Sequence, residues 1–244
     1  MQPETIVIPD ALALTADITE KALSAGGIGA VVGRAGVGKT PLIVQLALHA
    51  MLQNHNALHI NLSETVQKTD LWYREICSRL TDKYKGPGKD KPADKTLFCD
   101  RFFNRRFIMT LKVSGFSVDA IRERVQDLKT QDVFAPDLLV IDGLSFDSPQ
   151  RETVEQLREL SRSLSVRTWI TVGAHREEKR DDLDRPARMA EIADLLDLAW
   201  ELVPDSDNGR IYIKSLSCGQ DDAEPSRDRL FMEPSSMLLN VIDG

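Results

Sequence analysis

The stretch Gly33-Arg34-Ala35-Gly36-Val37-Gly38-Lys39-Thr40 constrains this chain more than any other. It spells Gly-x-x-x-x-Gly-Lys-Thr, and its flanks decide what that pattern means. The β-branched run Ile28–Val32 before it reads as a strand. Lys39–Leu52 after it carries Leu42, Ile43, Leu46, Ala47 and Met51 at helical spacing. Strand, glycine-rich loop and helix in that order predict a phosphate cradle. Glycines let the backbone curl until successive N–H groups converge on phosphate oxygens, and the helix opening at Gly38 turns its positive dipole end toward the same anion. Lys39 supplies a point charge for the β- and γ-phosphates, and Thr40 offers a hydroxyl to Mg²⁺. Pro41 falls in the first helical turn, where its missing N–H is tolerated. The expected ligands are ATP and Mg²⁺, held by residues 33–41.

The remaining pattern extends this unit into an α/β fold. A short amphipathic helix is expected around Ala11–Leu23, a strand at Ala57–Leu62 and a helix at Thr65–Leu80. Phe107–Leu111 is a strand candidate, followed by a helix near Val118–Leu128. Asp137–Ile141 is a continuous apolar run, the signature of a parallel strand buried on both faces. A helix at Glu152–Leu164, a strand at Thr168–Val172 and a helix near Met189–Leu195 follow. The tail turns β-rich at Leu198–Val203, Arg210–Leu216, Arg229–Met232 and Met237–Val241, with Asp207-Asn208-Gly209 as a hairpin turn signal. This order implies a mostly parallel central sheet flanked by helices, a C-terminal antiparallel meander, and a ligand site at the C-terminal strand ends. One domain is expected over 1–244, broken by a polar insertion near 81–106 that is rich in turn formers.

Composition narrows the function class. The chain has 244 residues and a net charge of −7, which argues against a surface that coats nucleic acid but leaves room for basic loops. No apolar run reaches the ~18 residues of a membrane span. Met1-Gln2-Pro3-Glu4-Thr5 lacks the basic start of a secretory signal, so the expected location is cytoplasmic, away from membranes. Cys77, Cys99 and Cys218 form no cluster with metal spacing and read as reduced structural thiols.

A phosphate loop needs a carboxylate at the tip of a neighbouring buried strand to orient the Mg²⁺ shell. Asp142, at the end of Asp137-Leu138-Leu139-Val140-Ile141-Asp142, supplies it. Many phosphate-loop ATPases place a glutamate directly after that aspartate to activate water. Here the next residue is Gly143, so the base must come from elsewhere. Glu64, following the second strand, is the candidate, able to hold water in line with the γ-phosphate. A plain helix-start acid favoured by the dipole is the other reading of Glu64.

This combination resembles the RecA-like ATPases, with KaiC-type and DnaB-type hexameric ATPases as the nearest likeness. Val140-Ile141-Asp142-Gly143-Leu144-Ser145 is similar to the aspartate motif of the KaiC group, and Leu62-Ser63-Glu64 to the glutamate motif of both groups. The likeness runs from Gly26 to Val241 outside the insertion. It implies a homo-oligomer, a hexamer in the family's ring form. It also implies a γ-phosphate sensor after the strand Trp169–Gly173, for which His175 is the candidate. Family members often carry Lys-x-Arg on a late strand, reaching the neighbouring subunit's nucleotide. Lys214 matches, but the arginine position is Leu216, with Arg227 or Arg229 as substitutes.

The loops at 143–150 and 175–188 would face a partner in such a ring. The second balances basic and acidic residues, whereas a phosphate-tracking loop should be mostly basic. The insertion interleaves Lys83, Lys85, Lys89, Lys91, Lys95, Arg101, Arg105 and Arg106 with Tyr84, Phe98, Phe102 and Phe103, a pattern that suits single strands or a loop closed by a docked aromatic cluster. The leading reading is an ATPase that drives or switches a nucleic-acid or protein partner. The alternative is a nucleotide-dependent protein-interaction switch with little or no turnover. A GTPase lacks its Asn-Lys-x-Asp motif here, and a small-molecule kinase lacks an arginine-rich lid.

Overall fold

A computed structural model describes residues 10–83, 95–112, 116–144, 151–175, 178–218 and 230–242. The phosphate-loop strand β1 (Ile28–Gly33) runs through the middle of the sheet with all six residues buried. Burial on both sides explains its composition: Val31 joins the core on one sheet face, while Ile28, Ala30 and Val32 join the core on the other. The same period-two division places Val140 against one face and Leu139 and Ile141 against the other.

The strands β2 (Ala57–Asn61), β3 (Arg106–Thr110), β4 (Leu138–Leu144), β5 (Arg167–Gly173) and β6 (Leu198–Pro204) accompany β1. β7 (Ile211–Leu216), β8 (Leu230–Glu233) and β9 (Leu238–Val241) complete a nine-stranded sheet among the described residues, in the order β3-β2-β4-β5-β1-β6-β7-β8-β9. Pairing is parallel from β3 to β6 and antiparallel from β6 to β9. This is the expected mostly parallel α/β sheet with a C-terminal antiparallel meander. β5 lies between β1 and β4, so the phosphate loop and Asp142 belong to strands separated by one neighbour.

Helices α1 (Asp10–Ala22), α2 (Lys39–Leu52), α3 (Val66–Lys83) and α4 (Lys95–Phe103) supply residues to one face. α5 (Val118–Thr130), α6 (Arg151–Leu164) and α7 (Ala187–Ala190) supply the other. The helix expected near Met189–Leu195 divides into α7 and a 3-10 turn at Ala193–Leu195. Trp169 of β5 and Trp200 of β6 stack at 5.0 Å between ring centroids, fully buried beneath α2's side of the sheet.

Near the insertion, residues 95–103 form helix α4, an element not expected from the sequence, and Phe98, Phe102 and Phe103 pack against the core as the docked aromatic cluster expected there. Arg106 lies over the rings of Phe103 and Tyr73, at 3.9 and 4.7 Å, and pairs with Asp70, so this cation and these aromatics are spent on internal packing. Cys77 and Cys99 are not free thiols. A disulfide joins α3 to α4, with Cα atoms 6.1 Å apart, and only Cys218 is free. Tyr84, Lys85, Lys89 and Lys91 lie outside the described residues, as do residues 145–150, Arg176, Arg227 and Arg229.

Candidate functional site

The loop after β1 has the conformation its glycines permit. Gly36 has φ +75° and Gly38, the N-cap of α2, has φ +108°. At Gly38 space is limiting too: a Cβ would lie 2.9 Å from Met232 Cε. Met232 comes from β8, so the meander buttresses the loop. Gln45 of α2 strengthens the tie, donating to the Met237 carbonyl at 2.9 Å and accepting from the Leu239 N–H at 2.9 Å. Arg34, Ala35 and Gly36 are exposed, Val37 and Gly38 buried. The N–H groups of Ala35, Gly36 and Gly38 find no backbone acceptor among the described residues, which suits an anion cradle.

Lys39 Nζ donates to the carbonyls of Gly33 and Arg34, each at 2.8 Å, folding back over the loop. Partial burial draws its amine below the usual lysine value, and attraction from Asp142 opposes that shift. Thr40, one residue on, donates its hydroxyl to Asp142 Oδ2 at 2.7 Å, and Thr171 of β5 donates to Oδ1 at 2.6 Å. Pro41 is buried in the first turn, and its carbonyl accepts from Gln45 at 3.1 Å.

Asp142 is nearly fully buried at the tip of β4. Burial favours its neutral form, but nearby His59 and the hydroxyls of Thr171 and Thr40 outweigh that and hold the carboxyl below the ordinary range. His59 Nε2 stands 3.8 Å from Oδ2, beyond hydrogen-bond reach, so its influence is that of a nearby dipole or charge. A hydroxyl and a carboxylate converging at one point are the hard oxygen donors Mg²⁺ takes, so the residues fit the ion.

Gly143 explains why no acid follows Asp142. Its φ is +94°, and a Cβ there would lie 2.8 Å from Ser63 Oγ, 3.3 Å from Ser63 Cβ and 3.4 Å from Ser63 N. The tip of β4 is pressed against the turn after β2, leaving no room for a side chain. That turn carries Glu64. Asn61, buried at the end of β2, accepts the N–H of Ser63 at 2.9 Å and of Glu64 at 2.6 Å, and donates to Thr69 at 3.2 Å. The Glu64 carboxylate is partly exposed and paired with Lys68 Nζ at 2.5 Å.

The structure therefore joins Thr40 to Asp142 directly, sets Lys39 within electrostatic reach of that carboxylate, and packs the Glu64 turn against Gly143. His175 is not drawn into it: the residue is exposed beyond β5, its N–H donates to Glu178 Oε2 at 3.2 Å, and its imidazole has no partner among the described residues. Lys214 pairs with Asp184 of its own chain, and Arg180 with Glu201, tying the 178–188 segment down to β6 and β7. Sequence reasoning missed Thr171, His59 and Asn61. Their signal was available: His59 and Asn61 alternate with apolar residues in Ala57-Leu58-His59-Ile60-Asn61, a polar stripe on a buried strand that demands partners.

A family model described as AAA domain matches residues 21–180, more than half of the chain. The chain belongs to the AAA domain family. This AAA domain match begins ahead of β1 and ends within the segment after β5, so it takes in the phosphate loop, the Glu64 turn and Asp142 while leaving β6 and the meander outside. The protein thus has a P-loop nucleotide-binding domain of ATPase type. No curated protein matches the chain. No described helix is long and apolar enough to cross a membrane.

Proposed function

We propose that this AAA domain binds ATP with Mg²⁺ in the Gly33–Thr40 loop and hydrolyses it, acting as a RecA-like motor or switch on a protein or nucleic-acid partner. The observation that carries the reading is the packing of Gly143 against Ser63, which sets the Glu64 turn beside the Thr40–Asp142 pair. Mg²⁺, when bound, would be held through Thr40 and Asp142 and draw negative charge off the phosphates. Lys39 exchanges its two loop carbonyls for phosphate oxygens, a stronger partner for an ammonium group. Glu64, released from Lys68, orients water toward the γ-phosphate and accepts its proton. His175 follows the strand that carries Thr171, a position from which a γ-phosphate sensor could report to residues 178–188.

Three features support a likeness to KaiC-type and DnaB-type ATPases within this fold: Gly143 after Asp142, an acid after β2, and a closing antiparallel meander. By that likeness we propose one RecA-like domain over the whole chain, a cytoplasmic protein, and a homo-oligomeric, ring-forming assembly. One observation favours the second reading, a switch with little turnover. Lys214 is held by Asp184 of its own chain, and Leu216, where an arginine would be expected, is buried.

ATP turnover of wild type, Lys39→Ala and Glu64→Gln, with and without single-stranded DNA and across concentrations spanning assembly, tests the proposal. Turnover lost in both variants, with nucleotide binding kept in Glu64→Gln, is expected. Full turnover in Glu64→Gln removes Glu64 as the base. Tight binding with negligible turnover in every wild-type condition selects the switch.

A further inference from the structure

Among the buried polar groups that the chemistry above leaves unused, His59 has the least ordinary surroundings. Its side chain is fully buried on β2 between Leu58 and Ile60, where apolar residues would pack without polar demands. Nδ1 meets the Tyr73 hydroxyl at 3.0 Å, and the two rings contact edge to face. Nε2 has no hydrogen-bond partner among the described residues, yet faces Asp142 Oδ2 at 3.8 Å, the same oxygen that accepts from Thr40.

Tyr73 and Asp142 together set the tautomer. That phenol is fully buried on α3, burial pushes its pKa up so that it stays protonated, and His59 Nδ1 is its hydrogen-bond partner. Nε2 faces a carboxylate oxygen, which can only accept, so the arrangement favours the imidazole proton on Nε2, directed at Asp142, with Nδ1 accepting from the hydroxyl. Arg106 over the Tyr73 face, itself capped by Phe103, keeps the phenol ring in place. The result is a relay from α3 through β2 to the tip of β4. Its last gap needs a movement of about 0.8 Å to reach hydrogen-bond length.

We propose that His59 is a positioning residue for the divalent-cation site: its Nε2–H closes onto Asp142 Oδ2 when nucleotide and cation load, fixing the carboxylate plane, with Tyr73 enforcing the tautomer. The proposal rests on the ATP–Mg²⁺ reading of the same site. Unlike Thr40, His59 approaches the carboxylate from within the sheet, so it orients Asp142 without touching nucleotide.

The test measures affinity for a fluorescent ATP analogue with Mg²⁺ and with a chelator, so the readout is the gain that the cation confers rather than turnover. His59→Leu is expected to lose 10–100-fold of that gain, with affinity in chelator unchanged. His59→Gln keeps an N–H donor and should retain most of the gain, while Tyr73→Phe frees the tautomer and should fall between. An undiminished gain in His59→Leu overturns the proposal. Should that variant fail to fold, Tyr73→Phe decides: a reduced gain supports the relay, and an unchanged gain overturns it. A wild type that binds the analogue without any cation-dependent gain instead defeats the ATP–Mg²⁺ reading, and the His59 role falls with it.

Discussion

Replacing Gly143 with alanine probes the contact on which the proposed role of Glu64 depends. Two costs add. The backbone sits at φ +94°, where an L-residue is strained by roughly 1–2 kcal/mol. The new Cβ also meets Ser63. Its Oγ, at 2.8 Å, can rotate away, but Cβ at 3.3 Å and N at 3.4 Å are fixed to the backbone, so the tips of β2 and β4 must part slightly. Overpacking of this kind costs about 1–3 kcal/mol, and the lower half of that range applies because one of the three contacts yields. The expected loss is therefore roughly 2–4 kcal/mol, read by urea denaturation with the slope unchanged. In a Ser63→Gly background the Oγ and Cβ contacts disappear, leaving only the backbone N at ordinary van der Waals distance, and about 1–2 kcal/mol should remain. A single variant within about 0.5 kcal/mol of wild type, the range of an ordinary surface change, would refute the reasoning. Gly143→Glu, which restores the acid common elsewhere, should lower turnover, because it displaces the Glu64 turn.

Thr171→Val removes the donor to Asp142 and the acceptor of the Gly143 N–H at 2.8 Å, so a loss of about 2–4 kcal/mol is expected in the same denaturation assay. Asp142 has a folded pKa below the ordinary carboxylate value near 3.9. Its contribution to stability is thus fully present above that value and fades as pH falls through the lower, folded one; the stability difference between wild type and Asp142→Asn should shrink on that descent. Reducing the Cys77–Cys99 disulfide, whose partners are 22 residues apart, should cost about 3 kcal/mol, measured as a lower melting temperature with a dithiol present and unchanged by it in Cys99→Ser.

Much of this was legible before any coordinates. The phosphate loop was readable because strand, glycines and helix constrain one another, and β4 because a run apolar on both faces has few other homes. Glu64 was singled out as the candidate base once Gly143 took the usual place of the acid, and the structure sets its turn against Gly143. Thr171 was not: a threonine in a β-rich run is ordinary, and only the parallel register of β5 beside β4 brings its hydroxyl to Asp142. Helix α4 was hidden by its basic and turn-forming neighbours, since it packs on α3, where Phe103 meets Arg74, distant in sequence. The disulfide was hidden for the same reason. Two cysteines with no recognisable spacing become neighbours only after α4 folds back on α3.

That clasp gives the chain a property of its own. From Cys77 to Cys99 the backbone closes on itself through sulfur, forming a covalent ring. A protease that cuts inside the ring opens the peptide chain without releasing either piece. The nicked protein would keep its two parts together and migrate as one species until a thiol reagent separates them. Proteolysis and reduction thus become two keys to one lock, and it takes both to pull the phosphate loop's half of the chain away from the half that carries Asp142.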